Sequence, residues 1–254
     1  MIGKAGSGHP GGSLSCIDIL TALFFNEMNV DPKNPTWSER DRFVLSKGHG
    51  VPALYATQAM RGYYDPEATL TLRELGSPYQ GHPDRVRIPA MEASTGSLGQ
   101  GLSVAIGMAL AARVDKKNFR TYCLIGDGET QEGQIWEAAM CAGNYKLSSL
   151  CVFLDANEYQ IDGAVKDVMD LEPIAEKFRS FKWNVIEING HDMDQVLKAL
   201  SQAREEKQKP SLIFAHTVKG KGVSFMEKNN EWHGKAPNPE QLTKALAELE
   251  ARKV

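Results

Sequence analysis

Asp127 stands between two glycines in Gly126-Asp127-Gly128, just after the apolar run Thr121 to Ile125. Asn157 stands just beyond a second apolar run, Leu150 to Leu154, thirty positions further on. That separation is what one strand, crossover helix and strand require. In an open parallel sheet, ligands collect outside the carboxyl ends of the strands, so the two side chains can converge on one ion. Carboxylate, amide and backbone carbonyl oxygens are hard ligands that suit Mg2+ or Ca2+ better than zinc, and octahedral Mg2+ is commonly completed by phosphate oxygens and water. The flanking glycines permit a tight turn that brings backbone N–H groups toward a phosphate ahead of the next helix. Taken singly, Gly-Asp-Gly also reads as an ordinary turn and Asn157 as a loop cap.

Three histidines sit beside glycine or proline: His9 in Ser7-Gly8-His9-Pro10-Gly11-Gly12, His49 in Lys47-Gly48-His49-Gly50, and His82 in Gly81-His82-Pro83. Imidazole donates to phosphate or sugar oxygens and exchanges protons near neutrality. One such histidine reads equally well as a packed or surface residue; three in like settings point to a polar site. His191 and His216 lack that setting and read as structural. Cys16, Cys123, Cys141 and Cys151 lie in apolar segments without a C-x-x-C spacing, so they read as small hydrophobes rather than a metal cage or disulfide framework.

The elements that would position these groups follow from periodicity. Helices are expected over Leu14 to Met28, Val51 to Met60, Gly99 to Val114 and Gln131 to Tyr145, with Arg61 to Ala93 mostly loop. Short apolar strands are expected at Phe43 to Leu45, Thr121 to Ile125, Leu150 to Leu154, Val185 to Ile188 and Leu212 to Ala215. Asp192 and Gln195 fit a capping box for the helix carrying Val196, Leu197, Leu200 and Ala203. A Lys219-Gly220-Lys221-Gly222 turn closes the last strand, and a mixed-charge helix follows Pro239. Strands alternating with helices specify an α/β fold, a mainly parallel sheet with helices on both faces.

The 254 residues suit a single domain over 1–254, with no internal boundary evident. Lys plus Arg number 29 against 32 Asp plus Glu, a net charge of -3 with the signs mixed, which argues against a nucleic-acid or anionic-membrane surface. Leu98 to Val114, the best candidate for a span, is interrupted by Gly99, Gln100, Gly101 and Gly107. No secretory pattern opens the chain, so a cytoplasmic location is expected. The 23 glycines gather in clusters rather than a repeat, and the clusters coincide with His9, His49, Gly96, Asp127 and Gly220.

In order, Gly6-Ser7-Gly8-His9-Pro10-Gly11-Gly12, Gly48-His49-Gly50, Gly81-His82-Pro83, Thr95-Gly96-Ser97-Leu98-Gly99-Gln100-Gly101, Gly126-Asp127-Gly128 with Asn157, and Trp232-His233-Gly234 resemble the N-terminal domain of transketolase. The form in question encodes that domain as a separate subunit. The motifs run from position 6 to 234; the Gly-Asp-Gly to Asn pair marks thiamine-diphosphate enzymes broadly, whereas Ser-Gly-His-Pro-Gly-Gly is more particular to transketolases. The resemblance implies the thiamine diphosphate-binding fold, with thiamine diphosphate and Mg2+ as cofactors and Ca2+ or Mn2+ able to substitute. By the same resemblance, Asp127 and Asn157 would bind the ion by side chains and Tyr159 by its carbonyl. Gly128 N–H and His49 would contact the diphosphate, and Gly96 and Leu98 the cofactor ring region. His9 and His82 would face the sugar hydroxyls and assist proton transfer. Glu132 and Glu137 would join an interface carboxylate network. His233 is placed among the cofactor-binding residues, although many members carry two histidines in that segment and this chain one. Lys219 and Lys221 stand where many full-length relatives have apolar residues, which leaves their part open.

The activity implied is transfer of a two-carbon ketol unit from a ketose phosphate to an aldose phosphate, as in the pentose phosphate pathway. The carboxylate that activates the aminopyrimidine belongs to a pyrimidine-binding domain in the family. That domain and the C-terminal domain are therefore expected on a partner subunit, in an α2β2 heterotetramer. Two alternatives stand beside this reading: a specialised-sugar transketolase or related synthase subunit, and a cofactor-binding subunit that catalyses nothing. Met1 precedes the Gly6 loop by five residues where the family usually has a helix, so an omitted N-terminal segment is a further expectation.

Overall fold

Five apolar runs become β1 (Arg42–Leu45), β2 (Thr121–Gly126), β3 (Leu150–Ala156), β4 (Asn184–Asn189) and β5 (Ser211–His216) in the computed structural model, which describes residues 1–252. Every pairing is parallel and the order is β1-β2-β3-β5-β4. The helices are α1 (Ile2–Ala5), α2 (Pro10–Ala22), α3 (Val51–Arg61), α4 (Gln100–Val114), α5 (Gly133–Asn144), α6 (Val165–Met169), α7 (Ile174–Ser180), α8 (Met193–Glu205) and α9 (Pro239–Glu250).

Side chains alternate across each strand, so one apolar run feeds two cores. Tyr122, Leu124 and Phe153 face α2, α3 and α8 in one cluster, whereas Cys123, Ile125, Val152 and Leu154 face α4, α5 and α7 in the other. This is the two-faced parallel sheet that the alternating pattern predicts. Burial on both faces removes whole side chains from water, worth about 1.5–3 kcal/mol for each large aliphatic or aromatic residue. Cys16, Cys123 and Cys151 are buried free thiols within these cores, and Cys141 is partly buried.

Several boundaries differ from expectation. The first long helix starts at Pro10 rather than Leu14, because proline's fixed φ and missing N–H suit the first helical position. Its final stretch, Leu23–Glu27, widens into a π turn. The helix expected from Gln131 begins at Gly133, after a 3-10 turn at Gly128–Gln131. Helices α6 and α7 occupy a stretch that periodicity left unassigned. Asp192 does cap α8, accepting from Gln195 N–H at 3.1 Å, but Gln195 Oε1 accepts from Asn189 N–H at 2.9 Å instead of completing the box. The reciprocal capping box belongs to α9, between Asn238 and Gln241. That helix is not purely a surface element, since Ala245 is buried with Val223, Met226 and Trp232. Among the described residues no helix is long and apolar enough to cross a membrane.

Candidate active site

Strands β2 and β3 end side by side, with Gly126 opposite Asp155, which sets Asp127 and Asn157 at the same carboxyl edge. Asp127 is 5% exposed, and its carboxylate accepts from Gly128 N–H at 2.8 Å and Glu158 N–H at 2.5 Å. Burial, then repulsion from Asp155, raises its carboxyl to about 7. Among the described residues no lysine, arginine or histidine forms an ion pair with Asp127. A buried carboxylate with two backbone donors and no cation of its own suits a bound cation. A Cβ on Gly128 would lie 2.6 Å from Gln160 Cβ, so this turn closes only around a glycine.

The orientation of Asn157 is dictated from below. Its Nδ2 faces Asp155 at 3.2 Å and Ser15 Oγ at 3.4 Å; an ionised carboxylate only accepts, so the amide nitrogen must point inward. Oδ1 is then the outward atom, reached by Tyr159 N–H at 3.2 Å. Asp155 itself is fully buried and accepts from Lys47, Ser15 and Thr217. Burial pushes the Asp155 carboxyl up, but the Lys47 charge together with the hydrogen bonds from Lys47, Ser15 and Thr217 outweighs it and holds the group below its ordinary range. Lys47 also donates to Gly12 O at 2.9 Å, tying the start of α2 to the floor of the site.

The histidines form the opposite wall. His9 is the N-cap of α2, His49 lies in the turn Gly48–Gly50 that leads into α3, and His233 follows the turn Asn230–Trp232. Ring centroids are 5.3 Å apart for His9 and His49, 5.5 Å for His9 and His233, and 5.1 Å for His49 and His233. His82 joins from its loop at 6.2 Å from His9. Gly96 has φ +147, and a Cβ there would meet His82 Cδ2 at 2.9 Å, so only glycine lets that loop back onto the ring.

These rings are held neutral. Burial and Arg73 lower His9 to about 4, burial and Lys219 lower His233 to about 3, and burial with Lys47 depresses His49 well below its usual range. Burial and Arg73 also lower His82. Arginine has only donors, so the contact of Arg73 with His9 Nδ1 at 3.4 Å makes Nδ1 the acceptor and leaves the proton on Nε2. Lys219 Nζ lies 2.8 Å from His233 Nδ1; a charged lysine there imposes the same tautomer. Lys219 is buried, and burial together with Lys47 lowers it to about 8. His191, read from sequence as structural, bridges Asp18 at 2.7 Å and Val218 N–H at 2.9 Å, which anchors the segment carrying Lys219.

A cavity of about 300 Å³ lies between the two walls. His49, Leu98, Asp127, Gly128, Glu132, Asn157, Tyr159 and His233 line it; His9 and His82 stand beside it through the ring contacts. Glu137 is exposed on α5 and does not line it. Motif reasoning singled out neither Lys47, Glu129 and Asp155 nor Arg73, and it left Lys219 open. One signal was available: Asp155 interrupts an otherwise apolar strand, and charged residues are almost never fully buried unless paired.

An open parallel sheet with helices on both faces and a cleft of carboxylate, amide and imidazole groups at its carboxyl edge is an α/β domain of the kind that binds ligands there. Residues 1–250 match the family described as transketolase, thiamine diphosphate binding domain. The chain belongs to that family. It is 49% identical over 98% of its length to the 6-deoxy-6-sulfo-D-fructose transketolase subunit SqwG of Clostridium sp. (strain MSTE9), covering 90% of that protein. It is 46% identical over 98% of its length to an apulose-4-phosphate transketolase subunit from Phocaeicola vulgatus, covering 88% of it. Among solved structures, transketolase from Campylobacter jejuni superposes with a TM-score of 0.91 at 37% identity over 97% of this chain. The chain spans 40% of that longer protein.

Proposed function

We propose that the chain is the diphosphate-binding subunit of a two-part transketolase acting on a specialised ketose. The observation that carries this is coverage: the chain accounts for 90% and 88% of two relatives named as subunits for uncommon sugars, but for 40% of a solved transketolase. The general ketose-phosphate reading of the sequence, with its place in the pentose phosphate pathway, gives way to the specialised one. The partner would carry the pyrimidine-binding domain and its activating carboxylate. Glu132 and Glu137, both exposed, fit an interface network in an α2β2 assembly.

In this reading Mg2+, or Ca2+ or Mn2+ in its place, is held by Asp127, Asn157 Oδ1 and the Tyr159 carbonyl. That donor set is all oxygen, as a hard divalent ion prefers. His49 and His233 face the diphosphate and Leu98 and Gly96 the rings. Gly128 N–H donates to Asp127 Oδ1 in the structure, and it is the backbone donor that would serve a phosphate oxygen with that carboxylate turned to an ion. When bound, thiamine diphosphate supplies the electron sink that allows a carbon–carbon bond beside a carbonyl to break. His9 presents Nε2–H to a sugar oxygen as a neutral hydrogen-bond donor, which stabilises negative charge developing there without adding a full charge. His82, exposed at the mouth, does the same for a second hydroxyl.

The test is reconstitution with the partner, thiamine diphosphate and Mg2+, followed by a substrate panel. The pair should turn over 6-deoxy-6-sulfo-D-fructose or apulose 4-phosphate faster than xylulose 5-phosphate, and the chain alone should do neither. Preference for xylulose 5-phosphate would overturn the specialised reading; turnover by the chain alone would overturn the two-part reading.

A further inference from the structure

Glu129 is 2% exposed, on the turn Gly128–Gln131 between β2 and α5. Its Oε1 accepts from Gly99 N–H at 2.9 Å and from the Ser46 hydroxyl at 2.5 Å, and its Oε2 accepts from Gly126 N–H at 3.0 Å. The three donors come from three segments far apart in sequence. Gly99 follows Leu98 and is the N-cap of α4, Ser46 precedes Lys47 and His49, and Gly126 precedes Asp127. One carboxylate thus touches each of the loops that deliver the ring contact, the diphosphate histidine and the metal aspartate.

A buried carboxylate is costly unless donors satisfy it, and here the donors are loop groups, while the nearby Lys47 is committed to Asp155. Burial raises the Glu129 carboxyl, against which these hydrogen bonds act. No neutral side chain serves all three: glutamine has one accepting end, and its amide nitrogen would confront the N–H of either Gly99 or Gly126. The contact is close-fitting as well, since a Cβ on Gly101 would meet Ser46 Oγ at 2.5 Å.

We infer that Glu129 is a positioning residue, a buried clasp that holds the loops of Leu98, His49 and Asp127 at their mutual spacing before the cofactor arrives. The inference rests on the cofactor reading above and adds to it a reason for affinity. Loops fixed beforehand lose little further freedom on binding, so removing the clasp raises the ordering cost that the cofactor must overcome.

The experiment uses the full chain with its partner and the variants Glu129→Gln and Ser46→Ala. Hydrogen–deuterium exchange of the cofactor-free protein should speed up together in residues 44–50, 96–101 and 124–131, and stay unchanged in β5 and α8. Titration of thiamine diphosphate with Mg2+ should show Kd rising about tenfold for Glu129→Gln, and less for Ser46→Ala, which leaves two donors in place. Faster exchange spread evenly over the sheet would mean general destabilisation and overturn the proposal. Unchanged exchange in the three segments would overturn it too. Should Glu129→Gln fail to fold, Ser46→Ala carries the same test in milder form. Absence of cofactor binding by the unmutated pair would sink the cofactor reading instead, and the exchange measurement would still judge the clasp.

Discussion

Asp127 and Asn157 project from the ends of two central strands and are fixed by a floor of buried charges, whereas His9, His49, His82 and His233 arrive from loops and helix starts and face an open side. The oxygen wall is closed within the chain: Asp155 is satisfied by Lys47, Ser15 and Thr217, and Asn157 by Asp155. The histidine wall has no such floor. Its rings touch one another and two cations, Arg73 and Lys219, but no carboxylate among the described residues. Under the proposed function, the difference separates the ion site, which this chain would build by itself, from the sugar side, which a partner would complete.

The comparison breaks most sharply at its floor. Lys47→Met leaves Asp155 buried without its counter-charge, and the cofactor-free chain should lose about 3–5 kcal/mol of stability in urea denaturation. Combining it with Asp155→Leu should recover part of that loss; no recovery would mean that the pair is not the source. Next in size, Asp127→Ala should weaken Mg2+-dependent cofactor binding about a hundredfold by calorimetric titration, a difference near 2.7 kcal/mol. Binding that no longer distinguishes the variant from wild type would remove Asp127 from the metal set. On the histidine wall, His9→Gln in the reconstituted pair should lower kcat about tenfold to a hundredfold while cofactor affinity stays near wild type. A large fall in affinity instead would place His9 on the cofactor.

The smallest effect is in acid. His233 sits at about 3, so between roughly pH 6.5 and that value the unfolded chain binds a proton that the folded chain refuses. Its contribution is fully present above the unfolded value and is lost as pH falls. Asp127, raised to about 7, works in the opposite direction, so the informative quantity is the difference between variant and wild type. Relative to wild type, His233→Gln should gain melting temperature between about pH 7 and pH 5. A gap independent of pH would show that the ring is not kept neutral by its surroundings.

The strands and the main helices could be read from the sequence because their signal is local. Thr121 to Ile125 and Leu150 to Leu154 are apolar at every position, and the thirty-residue offset from Asp127 to Asn157 fits one crossover. The glycine-flanked histidines were legible for the same reason, since each announces itself in its own loop. Helix ends were less so: α2 starts at Pro10, ahead of the periodic apolar residues that begin at Leu14, and its π turn at Leu23–Glu27 leaves no mark in the apolar spacing. His233 lies far along the chain from the other histidines, and the ring contacts set it beside His9 and His49.

What the sequence determined by itself is therefore the parallel sheet and the two residues at its carboxyl edge, because hydrophobic period and crossover length suffice for both. What only the tertiary structure decided is which charges are buried. Nothing in the segments around Lys47 and Glu129 marks them as buried, and Asp155 is marked only by its place in an apolar strand. Their burial depends on partners from positions 12, 15, 46, 99, 126 and 217, which the order β1-β2-β3-β5-β4 and the helices packed on it bring together. A charge can leave water only where such partners converge, and that convergence is a property of the fold, written in no single segment of the chain.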